Sequence, residues 1–201
     1  MQITIAKRPC KGEVHCGDAC SYWKNGAYTT LCVADGLGHG MHAEIAAMAA
    51  MDFVSQHLRD PLPIIFDQCN RTLRHTRGVA MGIAILDEHT GDLTYAGIGN
   101  IRAMVIRSPG AGHTQWSTVR LTSDPGIVGG GFRILRPERV AVTPDDLVLM
   151  FTDGIEEQIE FSNYTVTRSS NLQKLAQRIV RQWGRDYDDA AILIYRHEGN
   201  G

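Results

Sequence analysis

Short blocks of apolar residues, many β-branched or aromatic, recur along most of the chain with polar residues between them. The pattern predicts strands at "QITIAK", "GEVHCGDAC", "AYTTLCVAD", "GVAMGIAILD", "DLTYAGIG", "IRAMVIR", "RVAVT", "DLVLMFTD" and "AAILIYR". Asn25-Gly26 in "WKNGAY" is a strong hairpin signal, because both turn positions tolerate positive φ; Thr90-Gly91 in "DEHTGDL" separates a second strand pair. Much of the sheet is therefore expected to be antiparallel. Three segments have helical spacing instead. Residues 41–58 bring Ile45, Met48, Ala49 and Phe53 near one face, residues 61–75 predict a second helix, and residues 170–183 align Leu172, Leu175, Ile179 and Val180 on one stripe. The Ala/Met face of the first helix reads as core packed on a sheet. A helix pair between strand clusters, and a late helix before the last strand, predict a sheet sandwich flanked by helices. "RSPGAGHTQ" and "SDPGIVGGG" read as extended loops.

The 201 residues are enough for one substantial core, so a single domain over 1–201 without a sensor domain is expected. Apolar residues at 43% and charged residues at 21% are ordinary for a globular protein. A net charge of -2 with no dense Lys/Arg block argues against a nucleic-acid partner, whose phosphates demand a basic face. The amino terminus is too short and polar for a signal peptide, and no stretch approaches the ~20 apolar residues of a membrane helix. A cytoplasmic protein with no membrane partner is expected. Five cysteines without a CxxC pair suit reduced thiols, and Cys10, Cys16 and Cys20 match no common zinc spacing.

The chemistry concentrates in aspartates at strand ends. Pairing the first hairpin so that facing residue numbers sum to about 51 sets Asp18 opposite Val33, with Asp35 on the same face of the sheet. "LVLMFTDG" delivers Asp153 to a strand's carboxyl end before Gly154, and "YDDAAILIY" puts Asp188 and Asp189 at a strand's start. Strand ends lie beside strand starts in an antiparallel sheet, so these acids can collect along one rim. Crowded carboxylates raise one another's pKa unless a cation neutralises them. Hard oxygen donors without a thiolate or imidazole cluster suit Mg²⁺ or Mn²⁺, and Gly36 lets its carbonyl approach as a further ligand. Each residue alone also has a plain structural reading: Asp35 or Asp153 as a helix N-cap, Asp188 or Asp189 as turn chemistry. Four acids in strand-edge contexts, two of them as apolar run, Asp, Gly, jointly favour metal binding.

"GDAC" with Asp18, "VADGLGHG" with Asp35 and Gly36, "GVAMGIAILD", "FTDGIEE" with Asp153 and "DDAAILI" with Asp188 come in an order that resembles the metal-dependent protein Ser/Thr phosphatases, the PPM family, in its SpoIIE-like branch. The likeness covers almost the whole chain. It implies an α+β fold, a four-layer α-β-β-α sandwich of two mainly antiparallel sheets flanked by helices, with a binuclear centre of two Mn²⁺ or Mg²⁺ ions at one sheet edge. As a bare catalytic domain the chain is most similar to the stand-alone stressosome feedback phosphatases of the RsbX type. That implies a phosphorylated STAS-domain scaffold or anti-sigma-factor antagonist as the partner.

By the same resemblance Asp35 bridges both metals, the Gly36 carbonyl binds one, Asp153 and Asp188 bind the other, and Asp18 binds directly or through water. Asp189 supports these ligands without touching a metal. The implied catalytic residues are Asp35, Asp153 and Asp188, acting through metal-activated hydroxide on phosphoSer or phosphoThr, with His39 as an alternative to water as proton donor. The chain also departs from the family pattern. Leu37 stands where many members have His, and Gly99-Asn100-Ile101-Arg102 replaces a Gly-Asp-x-Arg stretch, which implies a weaker or absent third metal. Arg8 reads as a solvated strand-end residue rather than the family's phosphate-binding Arg, and the short loop over 156–168 implies a reduced flap. Two rival readings stand beside this one. "DGLGHG" is also like the Asp-x-Gly-x-Gly run of histidine-kinase-like ATPases, which need an upstream helical box where residues 1–34 read as strands. A pseudophosphatase that only binds a phosphoprotein is the other, opposed by retention of the four acids.

Overall fold

The computed structural model describes residues 2–108, 117–159, 164 and 170–199. The first half of the chain forms β1 (Gln2–Arg8), β2 (Asp18–Asn25), β3 (Tyr28–Gly36), α1 (Met41–Gln56), α2 (Leu62–Thr72), β4 (Val79–Asp87) and β5 (Asp92–Ile98). The second half forms β6 (Arg102–Arg107), β7 (Ser117–Leu121), β8 (Gly126–Ile127), β9 (Gly131–Phe132), β10 (Glu138–Ala141), β11 (Leu147–Phe151), α3 (Leu172–Trp183) and β12 (Ala190–Arg196). One sheet runs β1-β12-β11-β6-β7 and the other β10-β5-β4-β3-β2, with β8 and β9 as a small separate hairpin. Every ladder between these strands is antiparallel.

Side chains alternate across each strand, so each sheet has two apolar faces to cover. Leu31, Val33, Leu86, Tyr95, Val148, Met150, Leu193 and Tyr195 pack between the sheets. Their neighbours Cys32, Ala34, Met81 and Ile83 turn outward to meet α1 and α2, while Leu149, Phe151, Ile192 and Ile194 meet α3. The result is the expected α-β-β-α order of layers. The α3 stripe packs as its spacing predicts, with Leu172, Leu175, Ala176, Ile179 and Val180 all buried. The Asn171 side chain caps this helix by accepting the Lys174 N–H at 3.1 Å.

Several local expectations are corrected. In α1 the buried face is Ala43, Ala46, Ala47, Ala50, Met51 and Val54, whereas Ile45 and Met48 are exposed. Small residues win this face because the helix backbone lies against the sheet: a Cβ on Gly36 would stand 2.1 Å from the Ala43 carbonyl oxygen. In the first hairpin Asn25 joins the ladder opposite Tyr28 and Gly26 takes the positive φ of 62°. The turn therefore centres one residue later than expected, and Asp18 stands opposite Asp35 rather than Val33. The shift preserves the shared face. Strand structure in "GEVHCGDAC" begins only at Asp18, "SDPGIVGGG" contributes to the β8–β9 hairpin, and β7 forms where no strand was expected. Most of "RSPGAGHTQ" and of the loop 156–168 lies outside the described residues. Among the described residues no helix is long and apolar enough to cross a membrane.

Candidate metal centre

Antiparallel pairing sets the carboxyl ends of β3 and β11 at the same rim as the amino ends of β2, β4 and β12. Asp18 opens β2 and faces Asp35 near the end of β3. Cys20 and Val33, two residues away from each, pack between the sheets, so both carboxylates point to that same inner face. Asp153 follows β11 by two residues, and Asp188 and Asp189 immediately precede β12. Asp35, Asp153 and Asp188 line one cavity of 560 Å³, walled also by Leu37, Gly38, His39, Asn100 and Ile127. Asp18 lies buried beside them, 1% exposed.

The surrounding hydrogen bonds tie the acids to both sheets. Thr152 Oγ1, on the inner face of the first sheet, donates to Asp18 Oδ2 on the second at 2.6 Å, and accepts the Ala191 N–H at 3.0 Å. Asn100 Nδ2 donates to Asp153 Oδ2 at 2.7 Å. Asp189 is buried and spends both oxygens on backbone, Oδ1 accepting from Cys10 N at 2.7 Å and Oδ2 from Gly17 N at 2.9 Å. It fastens the segment before β2 to the start of β12. The Asp189 N–H in turn donates to Asp188 Oδ1 at 2.9 Å.

The glycine after each strand-end aspartate has a packing cause. Gly36 abuts the α1 backbone at Ala43, and a Cβ on Gly154 would lie 1.7 Å from the Asp189 carbonyl oxygen. Neither Asp35 nor Asp153 caps a helix: Gly40 is the N-cap of α1 without a side-chain bond, and Asp153 begins a turn. Each remains available to the cavity.

Electrostatics distinguish this cluster from an ordinary polar patch. Burial first, then the Asp18, Asp153 and Asp188 carboxylates and a hydrogen bond with Asp153, raise Asp35 far above the usual carboxyl range. Burial also raises Asp18; the Thr152 hydrogen bond opposes this, and Asp189, Asp188 and Asp153 add to it. Asp188 is raised by burial and then by Asp153. Carboxylates gathered this closely in a buried site repel one another, so these acids cannot all ionise readily unless positive charge joins them. Among the described residues no three His, Cys, Asp or Glu side chains are drawn into a closed coordinating cluster. Asp18 turns toward Thr152, and Asp153 accepts from Asn100. The donors nevertheless suit a hard divalent cation in kind, being carboxylate oxygens with no thiolate or imidazole among them.

His39 lines the cavity, its side chain 62% exposed and its Nδ1 2.8 Å from Glu13 Oε1. Arg8 is not freely solvated: its Nη1 pairs with Asp186 at 3.0 Å and its Nη2 donates to the Arg185 carbonyl. Residues 2–36 contain three strands and no helix, so the histidine-kinase-like ATPase reading does not find its upstream helical box. Sequence reasoning missed Thr152. Continuing the inward alternation Val148, Met150 by one more step would have found it.

Residues 25–198 match the family described as stage II sporulation protein E, SpoIIE. The phosphoserine phosphatase RsbX of Bacillus subtilis (strain 168) is 28% identical over 109 residues, which are 54% of this chain and 54% of RsbX. The chain thus matches about half the length of that curated relative. A structure from work on the bacterial stressosome, as a modular system adapted to control secondary messenger signaling, is 30% identical with a TM-score of 0.85, covering 96% of this chain and 98% of its own. RsbX in complex with magnesium shares the fold, with a TM-score of 0.81 at 19% identity over 96% of this chain and 93% of its own. With the sequence match running from the first hairpin to the end of the last strand, on the same sandwich of sheets, the chain belongs to the SpoIIE family.

Proposed function

We propose that this chain is a metal-dependent protein Ser/Thr phosphatase of the cytoplasm that dephosphorylates a STAS-domain, stressosome-type regulatory protein. The carrying observation is the gathering of Asp35, Asp153 and Asp188 in one cavity, with Asp18 buried beside them. The phosphoserine phosphatase RsbX supports the reaction class, and its complex with magnesium supports a divalent cation. The stressosome neighbour supports the partner class.

In this reading Asp35, Asp153, Asp188 and the Gly36 carbonyl hold two Mn²⁺ or Mg²⁺ ions, with Asp18 joining directly or through water. When bound, such a pair supplies Lewis acidity that makes water a nucleophile near neutral pH and offsets phosphoryl charge. The chain's own residues prepare that chemistry. Thr152 orients Asp18 across the two sheets, and Asn100 orients Asp153. Asp189 fixes the backbone on either side of the acids without spending an oxygen on a metal. The departing Ser or Thr oxygen takes its proton from water; His39, on the cavity wall with Nδ1 engaged by Glu13, is the alternative donor through Nε2 when its ring is protonated.

The test is phosphate release from a phosphorylated STAS-domain protein with and without Mn²⁺. Turnover that requires the metal and disappears in Asp35→Asn is expected. Stoichiometric binding without turnover would instead establish the pseudophosphatase reading.

A further inference from the structure

Two arginines at the strand ends already have acidic partners: Arg8 is paired with Asp186 at 3.0 Å and Arg102 with Glu157 at 3.3 Å. On the cavity wall, His39 Nδ1 lies 2.8 Å from Glu13 Oε1. The segment from the end of α2 into β4 is different. "QCNRTLRHTRG", residues 68–78, contains three arginines and no acid. Arg71 reaches back to Asp67 at 2.7 Å, but Arg74 and Arg77 are exposed and have no acidic partner among the described residues.

Arg77 is also held at the edge of the cavity. Its Nη1 donates to the Leu37 carbonyl at 3.4 Å and lies over Gly38, where a Cβ would come within 2.9 Å of it. Gly38 has φ of 84°, so glycine both provides this conformation and leaves room for the guanidinium. The Leu37 N–H donates to the Gly78 carbonyl at 3.1 Å, and Gly78 packs on Ile127. Leu37, Gly38 and Ile127 all line the cavity that holds Asp35, Asp153 and Asp188. The Arg77 charge is thus continuous with the cavity wall, and Arg74 lies exposed three residues before it in the same segment.

We propose that Arg74 and Arg77 form a cationic lip that binds acidic residues flanking the phosphorylated side chain of a protein substrate. The inference rests on the phosphatase reading and narrows its substrate class. An acidic segment approaching this site meets a cluster of carboxylates in the cavity, and the lip offers the compensating charge beside it. Two exposed ion pairs of ordinary strength amount to roughly a tenfold preference, and such pairs weaken as salt shortens the screening length.

The experiment compares two phosphoserine peptides, identical except that acidic or neutral residues flank the phosphoserine, with the Mn²⁺-loaded full chain. The ratio of their kcat/KM values is expected to be about ten in favour of the acidic peptide, carried mainly by KM. It should fall toward one in the Arg74→Ala/Arg77→Ala double variant and at about 0.5 M salt, and survive largely in Arg74→Lys/Arg77→Lys. A general loss of structure would lower both rates and leave the ratio where it was. A wild-type ratio near one, or a ratio unchanged in the Ala variant, overturns the lip while leaving the phosphatase reading intact. Failure of the wild type to release phosphate from either peptide overturns that reading and the lip with it.

Discussion

At the end of the sandwich remote from the cavity, Asp146 is as buried as Asp18, yet it accepts hydrogen bonds from Arg107 Nη1 at 2.8 Å, Ser108 N at 2.9 Å, and both the backbone and hydroxyl of Thr143 at 2.9 Å. Nearby, Glu88 accepts from Thr29 at 2.6 Å and from Tyr195 at 2.8 Å. At the opposite end of β11 the buried acids face one another. Asp35 meets Asp18, Asp153 and Asp188, and the donors to the group are Thr152, Asn100 and the Asp189 N–H, none of which carries a positive charge. Both ends bury carboxylates between the same two sheets, so burial alone does not separate structure from function. The supply of donors does: a carboxylate saturated by Arg and N–H donors is a fastener, and one surrounded by other carboxylates is a site awaiting positive charge.

Substitutions at the two ends should therefore fail in different ways. Asp35→Asn is expected to lower Mn²⁺-dependent phosphate release about a thousandfold, the scale of a lost metal contribution, while the folded protein persists by circular dichroism. Asp146→Ala should cost about 3 kcal/mol in urea unfolding, because it strands Arg107 and the Thr143 and Ser108 donors, with the Mn²⁺ requirement kept. Activity lost through Asp146 at undiminished stability would break the distinction.

Thr152→Val tests the join between the two sheets at the cavity rim. Loss of the hydroxyl that orients Asp18 is expected to reduce Mn²⁺ affinity about tenfold, read by titration calorimetry, with about 1 kcal/mol of stability.

The smallest expected effect is a dependence on pH without metal. Asp35, Asp18 and Asp188 are raised in the folded protein, so it retains protons that the unfolded chain has already released above the usual carboxyl range. Stability of the chelator-treated protein should then fall as pH rises from that range through the raised folded values, by roughly 3 °C in Tm for each kcal/mol. Asp35→Asn should flatten the slope, and Mn²⁺ should raise Tm most at the alkaline end, where binding displaces fewer protons. A Tm that climbs with pH in the metal-free wild type would contradict the crowding of these acids.

The layer order and the rim were legible in the sequence because both follow from period-two alternation. Apolar runs ending in Asp35 and Asp153, and starting after Asp189, determine which strand ends meet, and antiparallel pairing does the rest. What was not legible depends on close packing. The α1 stripe of Ile45 and Met48 looked like core, but proximity to Gly36 favours alanine on the inner face and leaves the larger side chains outside. The hairpin register turned on which residue next to Gly26 joins the ladder, a choice of one position that Asn25-Gly26 leaves open. Asp189 shows the same limit. Beside Asp188 in sequence, it differs because β12 carries it inward to the Cys10 and Gly17 amides.

Titration of the metal-free protein with Mn²⁺ by calorimetry at neutral pH tests the central claim most directly. The rim of converging aspartates predicts uptake of two ions per chain with release of protons, sharply weakened by Asp35→Asn and intact in Asp146→Asn. No measurable uptake, or uptake indifferent to Asp35, would contradict it.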